Sequence, residues 1–183
     1  MRRFLASLAV TACLAAPAFA APEVGDTAPI FQADGYLGGE AMHFDLADAL
    51  SHGPVVMYFF PAAFTSGCNV EAALFAESAA EFTAAGATLI GLTAGNTDRL
   101  AEFSQAHCAS AFPVAAVDRQ TVSDYDVGLM MRPGWTSRTS YVIAADGMIA
   151  FKHSEMNPDQ HVTLTLQALQ VLTGMADPAP ASE

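Results

Sequence analysis

Basic residues are scarce in this 183-residue chain, which has seven lysines and arginines against 19 aspartates and glutamates. The formal net charge is −12 at pH 7. Because so acidic a protein is repelled by phosphate backbones and anionic lipid headgroups, nucleic acid and membrane surfaces are excluded as expected partners. After the first twenty residues no apolar stretch approaches a membrane span, and no glycine-rich phosphate loop is present. We therefore expect no membrane span and no nucleotide cofactor.

Cysteine is also sparse, with three residues in the chain, at positions 13, 68 and 108. There is no Cys-x-x-Cys pair, which argues against a conventional thioredoxin-type disulfide exchanger. The five histidines show no pair at metal-ligand spacing. We predict that the protein holds neither a metal ion nor any other cofactor.

The first twenty residues predict a secretory signal peptide. Arg2 and Arg3 precede a short apolar stretch that ends in Ala18-Phe19-Ala20, a pattern typical of cleavage before Ala21. A lipoprotein signal, with a lipid attached to Cys13, is the alternative interpretation. We expect an exported protein, periplasmic or secreted, with lipid anchoring as the second possibility.

The remaining chain predicts one α/β domain over residues 21–175 and a disordered tail over residues 176–183. The continuous apolar run at 54–60 is typical of a strand covered on both faces, and the largely apolar segments 87–93 and 112–118 predict two further strands. The segment 140–152 predicts a further two strands joined at Asp146-Gly147. A mixed sheet with helices on both faces is the expected architecture.

Helices are predicted between and after these strands, and residues 119–137 are interpreted as mostly loop, with room for a helical turn. Each helix has recognisable start or stop residues. The predicted bounds are Asn69 to about Ala85 with Gly86 as the stop, a helix capped by Asn96 or Thr97 and running up to Cys108, and a last helix with Asn157 as cap, Pro158 as first residue and Gly174 as stop.

Cys68 lies where a buried strand leads through a short loop into a helix. The N–H groups and the dipole at a helix N-terminus favour an anion, so this position favours the nucleophilic thiolate over the thiol. A nearby cation would add to the effect, and Arg138, at the start of a predicted strand, is the candidate. Thr65 adds a hydroxyl that can both donate and accept a hydrogen bond. From these residues alone, a buried structural thiol or a structural disulfide stays open beside catalysis.

The pattern Pro61-x-x-x-Thr65-x-x-Cys68, with Arg138 ahead of "TSYVIAADG", resembles the peroxiredoxins. Glu71, three residues after the cysteine, is similar to the bacterioferritin-comigratory-protein subtype. Looser similarity extends over nearly all of the chain from residue 25 to the last helix.

This resemblance implies a thioredoxin-like fold and cysteine-dependent reduction of hydrogen peroxide or organic hydroperoxides. By similarity Cys68 is the peroxidatic cysteine, which becomes a sulfenic acid. Thr65 and Arg138 would hold the peroxide, and Pro61 would shield the sulfenic acid. The expected partners are a peroxide and a thiol reductant resembling thioredoxin, and the expected protein is a monomer or a homodimer. Phe64, Met131 and Trp135 are candidates for an apolar wall of the peroxide pocket.

The chain departs from the subtype at position 73, where many members have a resolving cysteine and this sequence has alanine. Similarity to other members implies that Cys108 is the resolving cysteine, forming an intramolecular disulfide with Cys68. The alternative is a thioredoxin-fold binding or assembly protein in which Cys68 and Cys108 form a static disulfide and no peroxide is reduced.

Overall fold

The computed structural model of the chain describes residues 21–175; the predicted signal peptide, Cys13 and the predicted tail lie outside that range. Seven strands and five α-helices alternate along it. The strands are β1 (Gln32–Leu37), β2 (Glu40–Asp45), β3 (Val55–Phe59), β4 (Thr88–Thr93), β5 (Val114–Ala116), β6 (Thr139–Ile143) and β7 (Ile149–Ser154). The helices are α1 (Leu46–His52), α2 (Ser66–Ala84), α3 (Leu100–Ala106), α4 (Arg119–Asp124) and α5 (His161–Thr173).

All seven strands form one mixed sheet in the order β2-β1-β5-β4-β3-β6-β7. The central strands β3, β4 and β5 run parallel, and the other pairings are antiparallel. The strands predicted at the three apolar runs and at the Asp146-Gly147 hairpin are confirmed. The sheet matches the predicted α/β class.

Strand β3 is buried on both faces and so divides the core in two. Val56 and Tyr58 point into a cluster with Phe75 of α2, Phe103 of α3 and Leu169 of α5. The residues that alternate with them, including Val55, Met57 and Phe59, point into the opposite cluster beneath α1. Because successive side chains of a strand face opposite sides, a strand covered on both faces must be apolar throughout. This is why the run at 54–60 is apolar apart from the hydroxyl group of Tyr58.

The N-terminal hairpin β1–β2 and helix α1 were not predicted. Their turn contains Gly38 and Gly39, whose φ angles are +59° and +86°. Two successive left-handed residues form the turn type that suits a two-residue hairpin, and glycine adopts it without strain. Asp45 then caps α1, accepting hydrogen bonds from the N–H groups of Ala47 and Asp48.

Three predicted helix starts need correction. Helix α2 begins at Ser66, three residues before the predicted Asn69. Asn96 precedes a short 3₁₀ turn, Thr97–Arg99, and α3 begins only at Leu100. Helix α5 begins at His161, because Asn157 and Pro158 belong to a preceding turn in which the Asn157 side chain accepts from Asp159 N–H.

The predicted stops are confirmed at Gly86 and Gly174, which follow α2 and α5. Residues 119–137 contain the short helix α4 and are otherwise loop, as predicted. Among residues 21–175, no helix is both long enough and apolar enough to cross a membrane.

Candidate active site

Cys68 lies in the first turn of α2, as the third residue after the N-cap Thr65. The side chain is 1% exposed. The first N–H groups of a helix have no partner within the helix, so this position combines free donors with the positive end of the helix dipole. Thr65 does not use its hydroxyl to cap the helix; Oγ1 donates to the Ala62 carbonyl at 3.1 Å.

The loop from Phe60 to Thr65 is fixed by the last residue of β4 and the segment that follows it. Thr93 Oγ1 donates to the carbonyl of the buried Pro61 at 3.3 Å. Asn96, predicted as a helix cap, instead donates from its side-chain amide to the Ala63 carbonyl at 2.8 Å. Gly95 comes so close that a Cβ atom there would lie 2.4 Å from the Pro61 carbonyl oxygen. The chain between β3 and Cys68 therefore has a defined path. Sequence reasoning did not assign Thr93 and Asn96 this role.

Arg138 reaches this site through the register of the sheet. It precedes β6, which pairs antiparallel with β3 so that Thr139 lies opposite Phe59, at the end from which the chain leaves toward Cys68. The guanidinium is 3% exposed, and Nη2 lies 3.7 Å from Cys68 Sγ. Nε donates to the Met156 carbonyl at 3.0 Å. The structure thus brings the predicted cation and the predicted nucleophile together.

Glu71 lies one turn after Cys68 on α2 and forms a buried ion pair with Arg138. Nη1 of Arg138 donates to Oε2 of Glu71, whose side chain is completely buried. The other carboxyl oxygen, Oε1, has no hydrogen-bond partner among the described residues. Burial raises the pKa of Glu71 to about 8, against the opposing effect of the guanidinium. Sequence analysis identified Glu71 only as a mark of the subtype and missed this contact.

Cys108 lies in the turn that follows α3 and is completely buried. Both cysteines are free thiols in this structure and belong to the same core cluster, together with Tyr58. Burial raises the pKa of the Cys108 thiol to about 12. The two residues that follow, Ala109 and Ser110, have φ angles of +48° and +58°. Such left-handed conformations are strained in residues that carry a Cβ atom.

The three candidates for an apolar pocket wall have different surroundings. Phe64 packs edge-on against Phe103, at 5.5 Å between ring centroids, and the Arg99 guanidinium lies over its ring at 3.7 Å. Trp135 lines a cavity of about 860 Å³ between the end of β4, α4 and the loop 128–135, and neither Phe64 nor Cys68 is among its lining residues. Met131 is 90% exposed and does not line that cavity. The expected common wall is therefore not formed by these three side chains.

No group of three or more potential metal ligands, counting histidine, cysteine and carboxylate side chains, occurs in residues 21–175. What the site offers is a thiol in the first turn of a helix, beside a buried guanidinium and a threonine hydroxyl. A thiolate at this position would be a nucleophile. An oxyanion formed beside it would be stabilised by the N–H donors of the helix and by the positive charge of the guanidinium.

Comparison with known proteins agrees with this geometry. The sequence model of the AhpC/TSA family matches residues 24–152. A relative from Mycobacterium tuberculosis strain H37Rv, provisionally named a peroxiredoxin, is 30% identical over 154 residues, which cover 82% of this chain and 97% of the relative. The chloroplastic peroxiredoxin Q of Suaeda salsa is 28% identical over 120 residues, which cover 65% of this chain and 56% of that protein.

Solved structures give the same answer for the fold. The peroxidoxin BcpB from Mycobacterium tuberculosis superposes with a TM-score of 0.72 at 29% identity, covering 82% of this chain and 98% of that one. Mycobacterium bovis AhpC superposes with a TM-score of 0.74 at 19% identity, covering 90% and 99% of the two chains. The predicted thioredoxin-like fold and the predicted resemblance to the bacterioferritin-comigratory-protein subtype are confirmed.

Proposed function

The chain belongs to the AhpC/TSA family of peroxiredoxins, which are thiol-dependent peroxidases, and on that premise we propose that Cys68 is the cysteine that reduces the peroxide. The observation that carries this assignment is the distance of 3.7 Å between Cys68 Sγ and Arg138 Nη2 in a buried site at the start of α2. A guanidinium in that position stabilises a thiolate before the reaction and an oxyanion during it.

The proposed reaction begins with attack of the Cys68 thiolate on one oxygen of the peroxide O–O bond. An S–O bond forms as the O–O bond breaks, and the leaving oxygen takes a proton to become water or an alcohol. Cys68 is oxidised to a sulfenic acid and the peroxide is reduced. Thr65 and Arg138 hold the peroxide, and Pro61 covers the sulfenic acid. The wild-type protein, reduced with dithiothreitol, should consume hydrogen peroxide, whereas Cys68→Ser should not. Undiminished consumption by Cys68→Ser would overturn the assignment.

We further propose that Cys108 resolves the sulfenic acid. Its thiol attacks the sulfur of Cys68, giving a disulfide and one water molecule. Since burial raises the pKa of Cys108 to about 12, the packed thiol is almost wholly protonated at neutral pH. The turn at 107–111 therefore has to open before Cys108 can react, and the left-handed conformations of Ala109 and Ser110 favour this opening because it relieves strain.

Mass measurement under non-reducing conditions tests this step. One equivalent of hydrogen peroxide should remove two hydrogens from the wild-type protein and link the two cysteines. In Cys108→Ser the same treatment should leave a sulfenic acid on Cys68 that dimedone traps. A stable sulfenic acid in the wild type would show a one-cysteine mechanism. A Cys68–Cys108 disulfide that dithiothreitol cannot reduce in the native protein would favour the binding or assembly protein instead.

We also propose that the protein is exported and that a thiol reductant of thioredoxin type regenerates it outside the cytoplasm. Export is supported by Arg2, Arg3, the apolar stretch and Ala18-Phe19-Ala20. Cell fractionation followed by N-terminal sequencing should find a mature chain in the exported fraction that starts at Ala21. A start at Cys13 with a lipid mass would establish the anchored alternative, and an intact N-terminus in the cytoplasm would refute export.

A further inference from the structure

The cavity that Trp135 lines has mostly apolar walls. Val117, which is 7% exposed, is the most buried of its lining residues and belongs to the core cluster beneath α1. Val122 of α4 packs against the same cluster, and Leu129 and Met130 line the cavity from the loop. The volume of about 860 Å³ lies within the range of small-molecule sites, about 300–1,000 Å³. The cavity is therefore large enough for a small apolar ligand and reaches down to the core.

The loop that carries Trp135 is held by hydrogen bonds of its own backbone. The N–H group of Leu129 donates to the Trp135 carbonyl at 3.0 Å, and the N–H group of Trp135 donates to the Arg132 carbonyl at 3.0 Å. Thr136 Oγ1 then donates to the Phe60 carbonyl at 2.6 Å, which joins the loop to the end of β3. This wall of the cavity is thus formed before any ligand binds, so that little ordering is needed on binding.

The charges at this cavity differ from those of the rest of the chain, which has seven basic residues against 19 acidic ones. Residues 21–175 contain five of the basic residues. Arg99, Arg138 and Lys152 each form an ion pair with a carboxylate. Arg119 and Arg132 form no ion pair with any described residue, and both lie at the cavity. An acidic protein thus places its two unpaired arginines beside one apolar cavity.

The two arginines have different positions at this site. Arg119, the first residue of α4, is exposed and lines the cavity. Arg132 is also exposed, and its guanidinium lies 4.7 Å from the centroid of the Trp135 ring. Asp118 is the one acidic residue of the lining, and its carboxylate caps α4 by accepting from the N–H group of Thr121 at 2.8 Å. Both guanidiniums remain available to an anion, and arginine binds carboxylates through charge-assisted hydrogen bonds.

We propose that this cavity binds a fatty acid, with the hydrocarbon chain against the apolar lining and the carboxylate at Arg119, near Arg132. The apolar walls select a hydrocarbon, and the unpaired guanidiniums select an anion. Among the described lining residues no hydroxyl or amide side chain is present that would recognise a sugar or a nucleobase. Cys68 does not line the cavity, so this inference does not depend on the proposed role of Cys68.

The fluorescence of Trp135 tests the proposal directly, because it is the only tryptophan of the chain. Decanoate, titrated below the concentration at which it forms micelles, should shift the emission to shorter wavelength as the hydrocarbon displaces water from the ring. Decyltrimethylammonium is the matched cationic probe. Since the net charge of the chain is −12, nonspecific binding would favour the cation, and preference for decanoate requires a local positive site. Shortening decanoate should weaken binding about fourfold for each methylene removed.

Three single substitutions locate the carboxylate, with affinities measured by isothermal titration calorimetry because Arg132→Gln also alters the surroundings of the tryptophan. Arg119→Gln should weaken decanoate binding about fivefold, and Arg132→Gln about twofold. Arg99→Gln is the matched control, since it removes the same charge from an exposed arginine that does not line the cavity. This control should bind decanoate within 1.5-fold, or roughly as tightly as wild type.

The result is independent of peroxide reduction. Cys68→Ser should bind decanoate as tightly as wild type, so that failure of the proposed peroxidase function would leave the binding result unchanged. Equal affinity for the carboxylate and ammonium probes would overturn the proposal, and so would an equal loss of affinity in Arg99→Gln and Arg119→Gln. A tryptophan signal that depends on protein concentration and not on decanoate would also overturn it, because it would mean that a second copy of the chain covers the cavity.

Discussion

Two buried tyrosines give opposite predictions for the loss of a hydroxyl group. Tyr58 of β3 is completely buried, and its ring stacks on Phe75 at 4.2 Å between centroids. Its hydroxyl has no hydrogen-bond partner within residues 21–175. Tyr125 is also buried, but its hydroxyl donates to the Pro29 carbonyl at 2.7 Å. Replacing each by phenylalanine keeps the ring and removes only the polar atom.

The expected magnitudes follow from the cost of burying an unpaired hydroxyl, which is about 1–3 kcal/mol. Tyr58→Phe removes this cost and leaves a small void, so we expect the free energy of unfolding to rise by about 1 kcal/mol. Tyr125→Phe loses a hydrogen bond, and we expect a fall of about 1 kcal/mol. For a domain of this size each change corresponds to a shift in melting temperature of about 2–4 °C.

Urea unfolding of the reduced protein, followed by circular dichroism, measures both changes on one scale. The slope of free energy against urea concentration should be the same in both variants, so that the midpoints alone report stability. A loss of 1 kcal/mol or more in Tyr58→Phe would refute the reasoning, because it would mean that the Tyr58 hydroxyl has a partner such as a buried water or one of the two thiols.

Three further changes test other parts of the structure. Gly35→Ala should cost about 3–5 kcal/mol in urea unfolding, since a Cβ atom there would lie 2.2 Å from a carbonyl oxygen of β5, whereas Gly128→Ala, whose nearest contact is 3.4 Å, should cost less than about 1 kcal/mol. Arg138→Lys keeps the charge but loses the planar group that reaches both Cys68 and the α2 carboxyl, so stopped-flow measurement should show a fall of about 100-fold in the rate with hydrogen peroxide; a rate within threefold of wild type would contradict the assigned role. Burial lowers the pKa of His161 from 6.5 to about 4, so the neutral ring contributes to the free energy of unfolding, on the order of 3 kcal/mol, above pH 6.5, and this contribution is lost as pH falls through 4. The free energy of unfolding of wild type should therefore fall more over that pH range than that of His161→Leu. Parallel plots of free energy against pH for the two proteins would show that the histidine does not titrate differently on folding.

The local parts of the fold were predictable because the relevant interactions lie within a few residues. The apolar run that becomes β3, the glycines that end α2 and α5, and the Asp146-Gly147 turn each report their own conformation. The start of α5 was mispredicted because Asn and Pro are as common in a turn as at the start of a helix, and here Asn157 and Pro158 belong to a turn. The true start, His161, is buried through contacts with Ser140 of β6 and the Glu155 carbonyl, which the local sequence does not reveal. The hairpin β1–β2 was missed because β1 contains few apolar side chains. On the side away from β2, it pairs with only two residues of β5.

The candidate site divides in the same way. Thr65 and Cys68 are three positions apart in the chain, so their spacing already indicates that they share the start of one helix. Arg138 is 70 residues away from Cys68 and meets it only because β6 pairs with β3 in a register that puts Thr139 opposite Phe59. A cation ahead of a predicted strand was a sensible candidate, but the distance depends on a strand order that the sequence pattern does not specify.

The outermost contact of the site is the least visible in the sequence. His161 is one of five histidines, and no second histidine lies at metal-ligand spacing from it. It follows a turn that was predicted to be the first turn of α5. Its relation to Glu71 arises because α2 and α5 pack on the same face of the sheet, so that a residue one turn after the cysteine meets the first turn of the last helix. Once both helices are fixed by the aromatic and aliphatic side chains of that core, one oxygen of the Glu71 carboxyl group accepts from the guanidinium and the other lies 3.8 Å from the imidazole without a hydrogen bond. The hydrophobic packing of α2 against α5 thus determines which polar groups surround the buried pair of Glu71 and Arg138 beside the thiol.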